Sequence, residues 1–339
     1  MPDLLPLNDL TRIHAPIRGE IDRAVARVLD SGWFLRGREV AAFEEEWADF
    51  CGQAYCVACN SGTDALTLAA IGLQLRAADV QANTLALTAV GLHRGGVAVN
   101  VVDVDGDGRL REGEGEAETV PVLLFGRQPT PAEARHRLFD AAHAHGWRPP
   151  KHATACWSFY PTKTLGAAGD GGAATTNDIG LRDAMRELSG RDDRLRDARQ
   201  ITSRMDEIQA AILRVKLKHL PAWIAERQAI GAWYRAHLPP GVDMVATDPR
   251  DLHHLAVVRL ADRDAVAAAL KARGIETKVH FPIPLHRQNA PWGDASRQLP
   301  AAMAWCGSIL TLPCFPGMRE AELALVAAAL EQAMAATAG

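Results

Sequence analysis

The stretch 157–173, WSFYPTKTLGAAGDGGA, holds a single lysine, Lys163, between a short aromatic run and a cluster of glycines. No acidic residue lies directly beside Lys163 to form a simple surface ion pair. A lysine amine that is desolvated becomes a nucleophile toward carbonyl compounds. A lone lysine is more often a solvated surface charge, so this stretch alone does not decide between the two interpretations.

A second pattern joins a short apolar run, YCVAC (55–59), to the small polar residues Ser61, Gly62 and Thr63. Helical periodicity begins at Ala65, so the chain predicts a strand, a turn and a helix. Free backbone amides at the helix start, together with the two hydroxyls, could bind a phosphate. An ordinary helix cap by serine or threonine is the structural alternative.

A third candidate is Asp140, which follows the apolar residues Leu138 and Phe139. These residues predict a short strand, and Asp140 would lie near its carboxyl end. Open α/β sheets bind their ligands at that edge. Asp140 is therefore a candidate site carboxylate.

A rival motif lies at 103–114, where Asp103, Asp105, Asp107, Gly108 and Glu114 match the pattern of a calcium-binding EF-hand loop. An EF-hand needs a helix on both sides, whereas the preceding run is β-branched and predicts a strand. Calcium binding is therefore the weaker hypothesis. A Cys-x-x-Cys pair at 56 and 59 has no second pair to complete a zinc site, and we expect no metal.

Composition narrows the class of protein. The 339 residues are enough for two domains, and a net charge of −4 provides no basic surface for nucleic acid. No run of eighteen apolar residues could span a membrane, and the N-terminus lacks a signal-peptide pattern. Six cysteines in a chain of this length suit a reducing compartment, so we expect a cytoplasmic protein.

Periodicity predicts helices over 15–29, from about 40 to 50, and over 205–220, with Pro221 separating the last from another long helix. Residues 119–126 are predicted to be a buried strand. The Pro-Pro-Gly at 239–241 suggests a boundary between a large domain, 1–238, and a small domain, 239–339, on which the first 14 residues would pack. The tail predicts a strand at 255–260, a helix at 263–274, a strand at 276–281 and two closing helices.

Five ordered segments together resemble one family: NSGTDAL (60–66), DAAHAHG (140–146), SFYPTKTLGAAGDGGA (158–173), SRMDEIQAAIL (203–213) and HFPIPLH (280–286). The chain is similar to the DegT/DnrJ/EryC1/StrS family of sugar aminotransferases. The resemblance implies a three-layer α/β fold, the fold type I of enzymes dependent on pyridoxal 5′-phosphate (PLP). It further implies a mostly parallel central sheet, a smaller α+β C-terminal domain, and a homodimer whose active sites are shared between subunits.

The resemblance also implies roles for particular residues. Lys163 would bind PLP covalently and later move a proton between the substrate carbon and the cofactor, while Asp140 would keep the pyridine nitrogen protonated. The other residues implied in cofactor binding are Ser61, Gly62, Thr63, Leu85, His143, Ser158 and Thr202. Candidate substrate contacts are Tyr160, His280, His286 and Arg287.

Three of these residues differ from the family pattern. Leu85 stands where an aromatic residue usually stacks on the pyridine ring, His143 where a glutamine contacts the phenolic oxygen, and Thr202 where an asparagine reaches the partner subunit's phosphate. The stretch 105–140 is also shorter than usual. An imidazole can donate the same bond as the glutamine but can also titrate.

The function implied is transfer of an amino group from glutamate or glutamine to a keto group of a nucleotide-linked sugar. A keto-cyclitol is an alternative acceptor. A further alternative is a catalytically weakened member that binds PLP or a partner without efficient turnover. The dehydratase branch, which replaces the cofactor-binding lysine with histidine, is disfavoured by the presence of Lys163.

Overall fold

The computed structural model of the chain describes residues 4–111, 117–190 and 197–337. The helices are α1 (Leu10–His14), α2 (Arg18–Ser31), α3 (Arg38–Cys51), α4 (Gly62–Gly72), α5 (Ala86–Arg94), α6 (Ile179–Leu188), α7 (Glu207–Leu217), α8 (Leu220–His237), α9 (Arg263–Ala272), α10 (Pro300–Ser308) and α11 (Glu320–Thr337). The strands are β1 (Tyr55–Cys59), β2 (Ala77–Gln81), β3 (Ala98–Val102), β4 (Glu118–Thr119), β5 (Leu138–Asp140), β6 (Thr154–Ser158), β7 (Gly172–Thr176), β8 (Asp243–Met244), β9 (Ala256–Arg259) and β10 (Ile309–Leu312).

The central sheet is built from two groups of strands, ordered β1-β7-β6-β5 and β3-β2-β4. A parallel bridge between Val122 and Asp140 joins them, because the chain just after β4 runs alongside β5. Strand β7 is antiparallel to both of its neighbours, whereas the other pairs in these two groups are parallel. The sheet is therefore mostly parallel, which confirms the predicted α/β class.

Helices cover both faces of this sheet. One apolar core includes residues of α4 and β2, and the other includes residues of α3, β6 and α7. In the second core, Trp47 makes edge contacts with Trp157 and Phe159, with ring centroids 5.2 and 5.3 Å apart. Central strands such as β7 are buried along their whole length, as expected for strands covered on both faces.

A separate antiparallel sheet, ordered β10-β9-β8, lies in the C-terminal part of the chain. Its apolar core also contains Leu5 and Ile13 from the N-terminus, and Leu5 pairs with Ile275. The segment from Leu5 to Ile13 therefore packs against the C-terminal sheet and helices. The division of the chain at residue 239 stays a prediction.

Three predicted elements differ from the structure. Residues 276–281 form no strand beyond one bridge from Lys278 to Thr311, because the prolines that follow interrupt the ladder. The strand expected over 119–126 ends at Thr119, since Pro121 has no amide hydrogen and a 3₁₀ turn follows. Strand β10 lies in a run predicted to be helical, and its residues pair with β9.

Glu207 at the start of α7 anchors the start of α3. Its buried carboxylate accepts hydrogen bonds from the backbone amides of Gly37 (2.8 Å), Glu39 (2.8 Å) and Val40 (3.2 Å). A side chain on Gly37 would place its Cβ 2.6 Å from a Glu207 oxygen, so glycine permits this approach. Glu207 therefore supplies the cap that α3 lacks locally.

We expect Glu207→Gln to lower the free energy of unfolding by about 1–3 kcal/mol, because the amide loses charge-assisted bonds to three N–H groups. Urea denaturation measures the change. The control is Asp22→Asn, which removes an exposed ion pair with Arg18 and should cost less than about 1 kcal/mol. Equal destabilisation by the two substitutions would contradict the capping role.

Candidate active site

One cavity of about 270 Å³ lies where the start of α4 meets the carboxyl ends of β5 and β6. Nine of the predicted site residues line it: Ser61, Gly62, Thr63, Leu85, Asp140, His143, Ser158, Tyr160 and Lys163. Residues from four separate parts of the sequence thus meet at the edge of the sheet where α/β proteins bind ligands.

Lys163 lies in a tight loop that follows β6. Its backbone amide donates to the Tyr160 carbonyl (2.8 Å), and a side chain on Gly166 would collide with the Pro161 carbonyl. Its amine makes no hydrogen bond or ion pair with another described residue. Burial lowers the pKa of Lys163 from 10.5 to about 8, and the Asp140 carboxylate opposes that shift. The loop therefore presents a partly desolvated amine to the cavity.

Asp140 ends β5 and is only 7 % exposed. Its carboxylate accepts hydrogen bonds from the Thr88 hydroxyl (2.7 Å) and the Ala142 backbone amide (3.0 Å). Burial raises the pKa of Asp140 above its usual 3.8, while these two bonds and the nearby Lys163 act in the opposite direction. Thr88 was not foreseen from sequence, because α5 and β5 are far apart along the chain.

The start of α4 forms the polar end of the cavity. Ser61 caps the helix by accepting a hydrogen bond from the Asp64 amide (3.1 Å), so the capping interpretation holds for its side chain. A Cβ on Gly62 would lie 2.9 Å from the Ser158 Cβ. Glycine therefore lets the Ser158 hydroxyl come close to the helix start, where amides and hydroxyls can bind an anion.

Ser203 braces this turn from another part of the chain. Its hydroxyl donates to the Asp64 carboxylate (2.7 Å) and accepts from the Asn60 amide (3.1 Å). The SRMDEIQAAIL segment is thereby connected to the NSGTDAL segment.

Four predicted residues do not line the cavity. Thr202 is exposed, and His280 bonds through Nδ1 to the Thr311 hydroxyl (2.8 Å) next to Phe281, which does line it. His286 is buried, with 1 % exposure, and Arg287 is exposed and donates to the Ala295 carbonyl (2.7 Å). Sequence reasoning missed the lining residues Thr84, Leu87, Thr88, Asp170 and Phe281.

The acidic loop after β3 has a structural use. Asp103 accepts a hydrogen bond from the Ala302 amide (2.8 Å) at the start of α10, and Asp105 accepts from the amides of Asp107 (2.9 Å) and Arg109 (2.8 Å). Glu114, the last position of the calcium motif, lies outside the described residues. Within the described ranges no three His, Cys, Asp or Glu side chains are grouped to hold a metal ion.

No helix in the described part of the chain combines the length and apolarity needed to cross a membrane.

Known proteins provide a further comparison. Residues 16–110 and 136–331 match the DegT/DnrJ/EryC1/StrS aminotransferase family. The chain belongs to this family.

Several of its relatives are named as aminotransferases of nucleotide-linked sugars. The chain is 35 % identical to a dTDP-3-amino-3,4,6-trideoxy-alpha-D-glucose transaminase of Streptomyces venezuelae, over 92 % of this chain and 91 % of the relative. It is 33 % identical to a UDP-N-acetyl-3-dehydro-alpha-D-glucosamine 3-aminotransferase of Acidithiobacillus ferrooxidans, over 97 % and 98 %. The crystal structure of S. venezuelae DesV in complex with a ketimine intermediate superposes with a TM-score of 0.90, at 34 % identity over 98 % and 99 % of the two chains.

This DegT/DnrJ/EryC1/StrS protein is therefore a PLP-dependent aminotransferase. The family match is interrupted between 110 and 136, within the stretch that the resemblance predicted to be shorter than usual. In the described part of that stretch, 3₁₀ turns at Leu124–Gly126 and Glu133–Arg135 connect β4 to β5.

The residues around the cavity fit PLP. The helix start with Ser158 suits a phosphate, the buried Asp140 carboxylate suits a protonated ring nitrogen, and the Lys163 amine suits an aldehyde. When bound, PLP supplies an electron sink for a carbanion. Leu85 is the weakest match, because an aliphatic side chain replaces the aromatic residue expected against the ring.

The pKa of Lys163 predicts how the cofactor-free protein captures PLP. Only the neutral amine attacks an aldehyde, so the rate should rise with pH and level off near pH 8 instead of above pH 10. At pH 6 it should be roughly 100-fold below the plateau, two pH units below the pKa. Stopped-flow absorbance after mixing with PLP measures the rate, and free lysine is the control. A rate that keeps rising to pH 10 would show an ordinary amine.

Proposed function

We propose that this enzyme transfers an amino group from glutamate or glutamine to a keto group of a nucleotide-linked sugar. The observation that carries the proposal is the meeting of a desolvated lysine, a buried carboxylate and the start of α4 in one cavity. The names of two relatives, which cover more than nine-tenths of the chain, add the dTDP- and UDP-linked sugar class.

The residues of the cavity would have separate roles in binding the cofactor and in proton transfer. The Lys163 amine binds the cofactor aldehyde and, once released, moves a proton to and from the substrate carbon, for which a pKa of about 8 is well suited. Asp140 holds a proton on the ring nitrogen, and Thr88 orients Asp140. Ser61, Gly62, Thr63 and Ser158 hold the phosphate.

The active form in this proposal is a homodimer. Thr202 lies outside the cavity of its own chain, at the position from which the family's asparagine reaches the phosphate of the partner subunit. Trp33 and Phe34 expose 54 % and 47 % of their surface, and such adjacent apolar side chains suit an interface. Tyr160, His280 and Arg287 remain proposed substrate contacts, whereas the buried His286 is omitted.

The decisive experiment supplies ¹⁵N-glutamate or amide-¹⁵N-glutamine and a panel of nucleotide-linked ketosugars, with keto-cyclitols as the alternative acceptors. Mass spectrometry then detects a labelled amino sugar. Labelling of a dTDP- or UDP-linked ketosugar would support the proposal. Labelling of cyclitols alone would show that the acceptors are keto-cyclitols and not nucleotide-linked ketosugars.

A second candidate function is that of a weakened family member that binds PLP without efficient turnover. The observation that favours it is Leu85, which is 40 % exposed and borders the cavity in place of an aromatic ring. Adding glutamate to the PLP-loaded protein tests this directly. If absorbance shows no conversion of the cofactor from its aldehyde to its amine form with either glutamate or glutamine, the result supports the second candidate function.

We expect Leu85→Phe to tighten PLP binding by about 2- to 10-fold, because an aromatic ring stacked on the cofactor adds roughly 0.5–1.5 kcal/mol. Fluorescence titration of the cofactor-free variant gives the dissociation constant. Leu87→Phe is the matched control, since Leu87 also lines the cavity but is not at the stacking position. Equal gains from both variants would mean that added apolar area, and not stacking, is responsible.

A further inference from the structure

Residues 124–126 adopt a conformation that few side chains tolerate. Phe125 and Gly126 have φ values of +66° and +87°, and a non-glycine residue in this region stores strain unless its surroundings hold it. Here the carbonyls of both residues are held, by the amides of Leu255 (3.3 Å) and Leu252 (2.7 Å). The Phe125 side chain is also buried.

Gly126 completes this arrangement. A Cβ at that position would lie 2.8 Å from the His254 backbone nitrogen, so only glycine allows the two segments to approach so closely. The segment 252–255 therefore fixes the backbone of Phe125 from one side.

On the other side, the Phe125 amide donates a hydrogen bond to Nδ1 of His143 (3.2 Å). A ring nitrogen that accepts a hydrogen bond carries no proton, so the neutral imidazole must carry its proton on Nε2. His143 lines the cavity together with Asp140 and Lys163. Its Nε2 makes no hydrogen bond with another described residue and is available to a ligand.

We propose that the strained Phe125 backbone positions His143 as a permanently neutral Nε2–H donor directed at an anionic oxygen in the cavity. The family resemblance already implies the phenolic oxygen of PLP as the ligand at this position; the inference concerns the tautomer and its support by Phe125, and it rests on the proposed function of the same site. Phe125 acts through His143 and is a positioning residue.

The groups that face His143 keep the ring neutral. Burial is the largest influence that lowers the pKa of His143 well below 6.5, and Lys163, His280 and His145 add to it. The His254 ring lies 4.6 Å from the His143 ring, and its Nδ1 is 3.2 Å from the Thr164 hydroxyl. A charged imidazolium would be unfavourable among these groups. The titration that an imidazole at this position would ordinarily show is therefore suppressed.

The tautomer can be observed without cofactor. Protein labelled with ¹⁵N-histidine and freed of PLP should show His143, assigned by its loss in His143→Gln, with a bare Nδ1 and a protonated Nε2. The pattern should not change between pH 5.5 and 8. A proton on Nδ1, or titration of His143 within that range, would overturn the proposal whatever reaction the enzyme catalyses.

The affinity for PLP tests whether His143 donates a hydrogen bond to the cofactor. His143→Ala should weaken PLP binding to the cofactor-free protein by on the order of 10-fold or more, as expected for a hydrogen bond to a charged oxygen. His143→Gln retains a donor and should stay within about threefold of the wild type. Equal losses in both variants would rule out the donor role. Failure of the wild type to bind PLP at all would instead overturn the proposed function and leave the tautomer result intact.

Discussion

Replacing Lys163 with alanine should abolish transamination, with a loss of at least about 10⁴-fold, and should leave the purified protein colourless. The amine is the only lysine nitrogen lining the described cavity, and its loss removes both the covalent attachment of the cofactor and the group that moves the proton. Absorbance spectra and the ¹⁵N-glutamate assay measure the two effects separately.

Two variants accompany this measurement. Lys151 is exposed and lies outside the cavity, so Lys151→Ala should retain wild-type colour and activity. Lys163→Arg keeps the positive charge but has no reactive amine, and it should be as inactive as the alanine variant. A coloured and active Lys163→Ala protein would remove Lys163 from the mechanism.

The second large effect is expected for Asp140→Asn. The amide is the same size and can still accept one hydrogen bond, but it has no charge to hold a proton on the ring nitrogen. We expect activity to fall by about 10²–10⁴-fold, the range typical of losing a positioned acid–base group. Steady-state kinetics with saturating PLP measures the loss.

The thermal stability of Asp140→Asn should be equal to or higher than that of the wild type. Burial raises the pKa of Asp140, which means that the folded state disfavours its charge at neutral pH. A neutral amide removes that cost, so thermal unfolding of Asp140→Asn should occur at the same or a higher temperature. Inactivity accompanied by marked destabilisation would point to a structural role for Asp140 instead.

Thr88→Val provides the matched comparison, because it removes the hydroxyl that donates to Asp140 at 2.7 Å and keeps a similar shape. Activity should fall by about 10-fold, as expected for one hydrogen bond to a charged group. A loss as large as that of Asp140→Asn would indicate that Thr88 itself contacts the reacting groups.

Local sequence signals predicted much of the architecture. Helices α2, α3 and α9 and strands β1, β5 and β9 carry apolar patterns of the right period, and the structure has them within a few residues of the predicted positions. The signals failed where pairing depends on distant partners. Strand β10 exists because β9 lies beside it, and 276–281 is not a strand because the prolines that follow it, Pro282 and Pro284, cannot continue the ladder.

By itself, the sequence determined the family, the α/β class and the presence of a lysine, an aspartate and a candidate phosphate-binding turn in separate segments. These features reside in local periodicity and in residue types. Only the tertiary structure decided that Thr88 supports Asp140, that Glu207 caps α3, and that Phe125 fixes the tautomer of His143. Each of these contacts joins residues well separated along the chain, and only the packing of the sheet and its helices sets such distances.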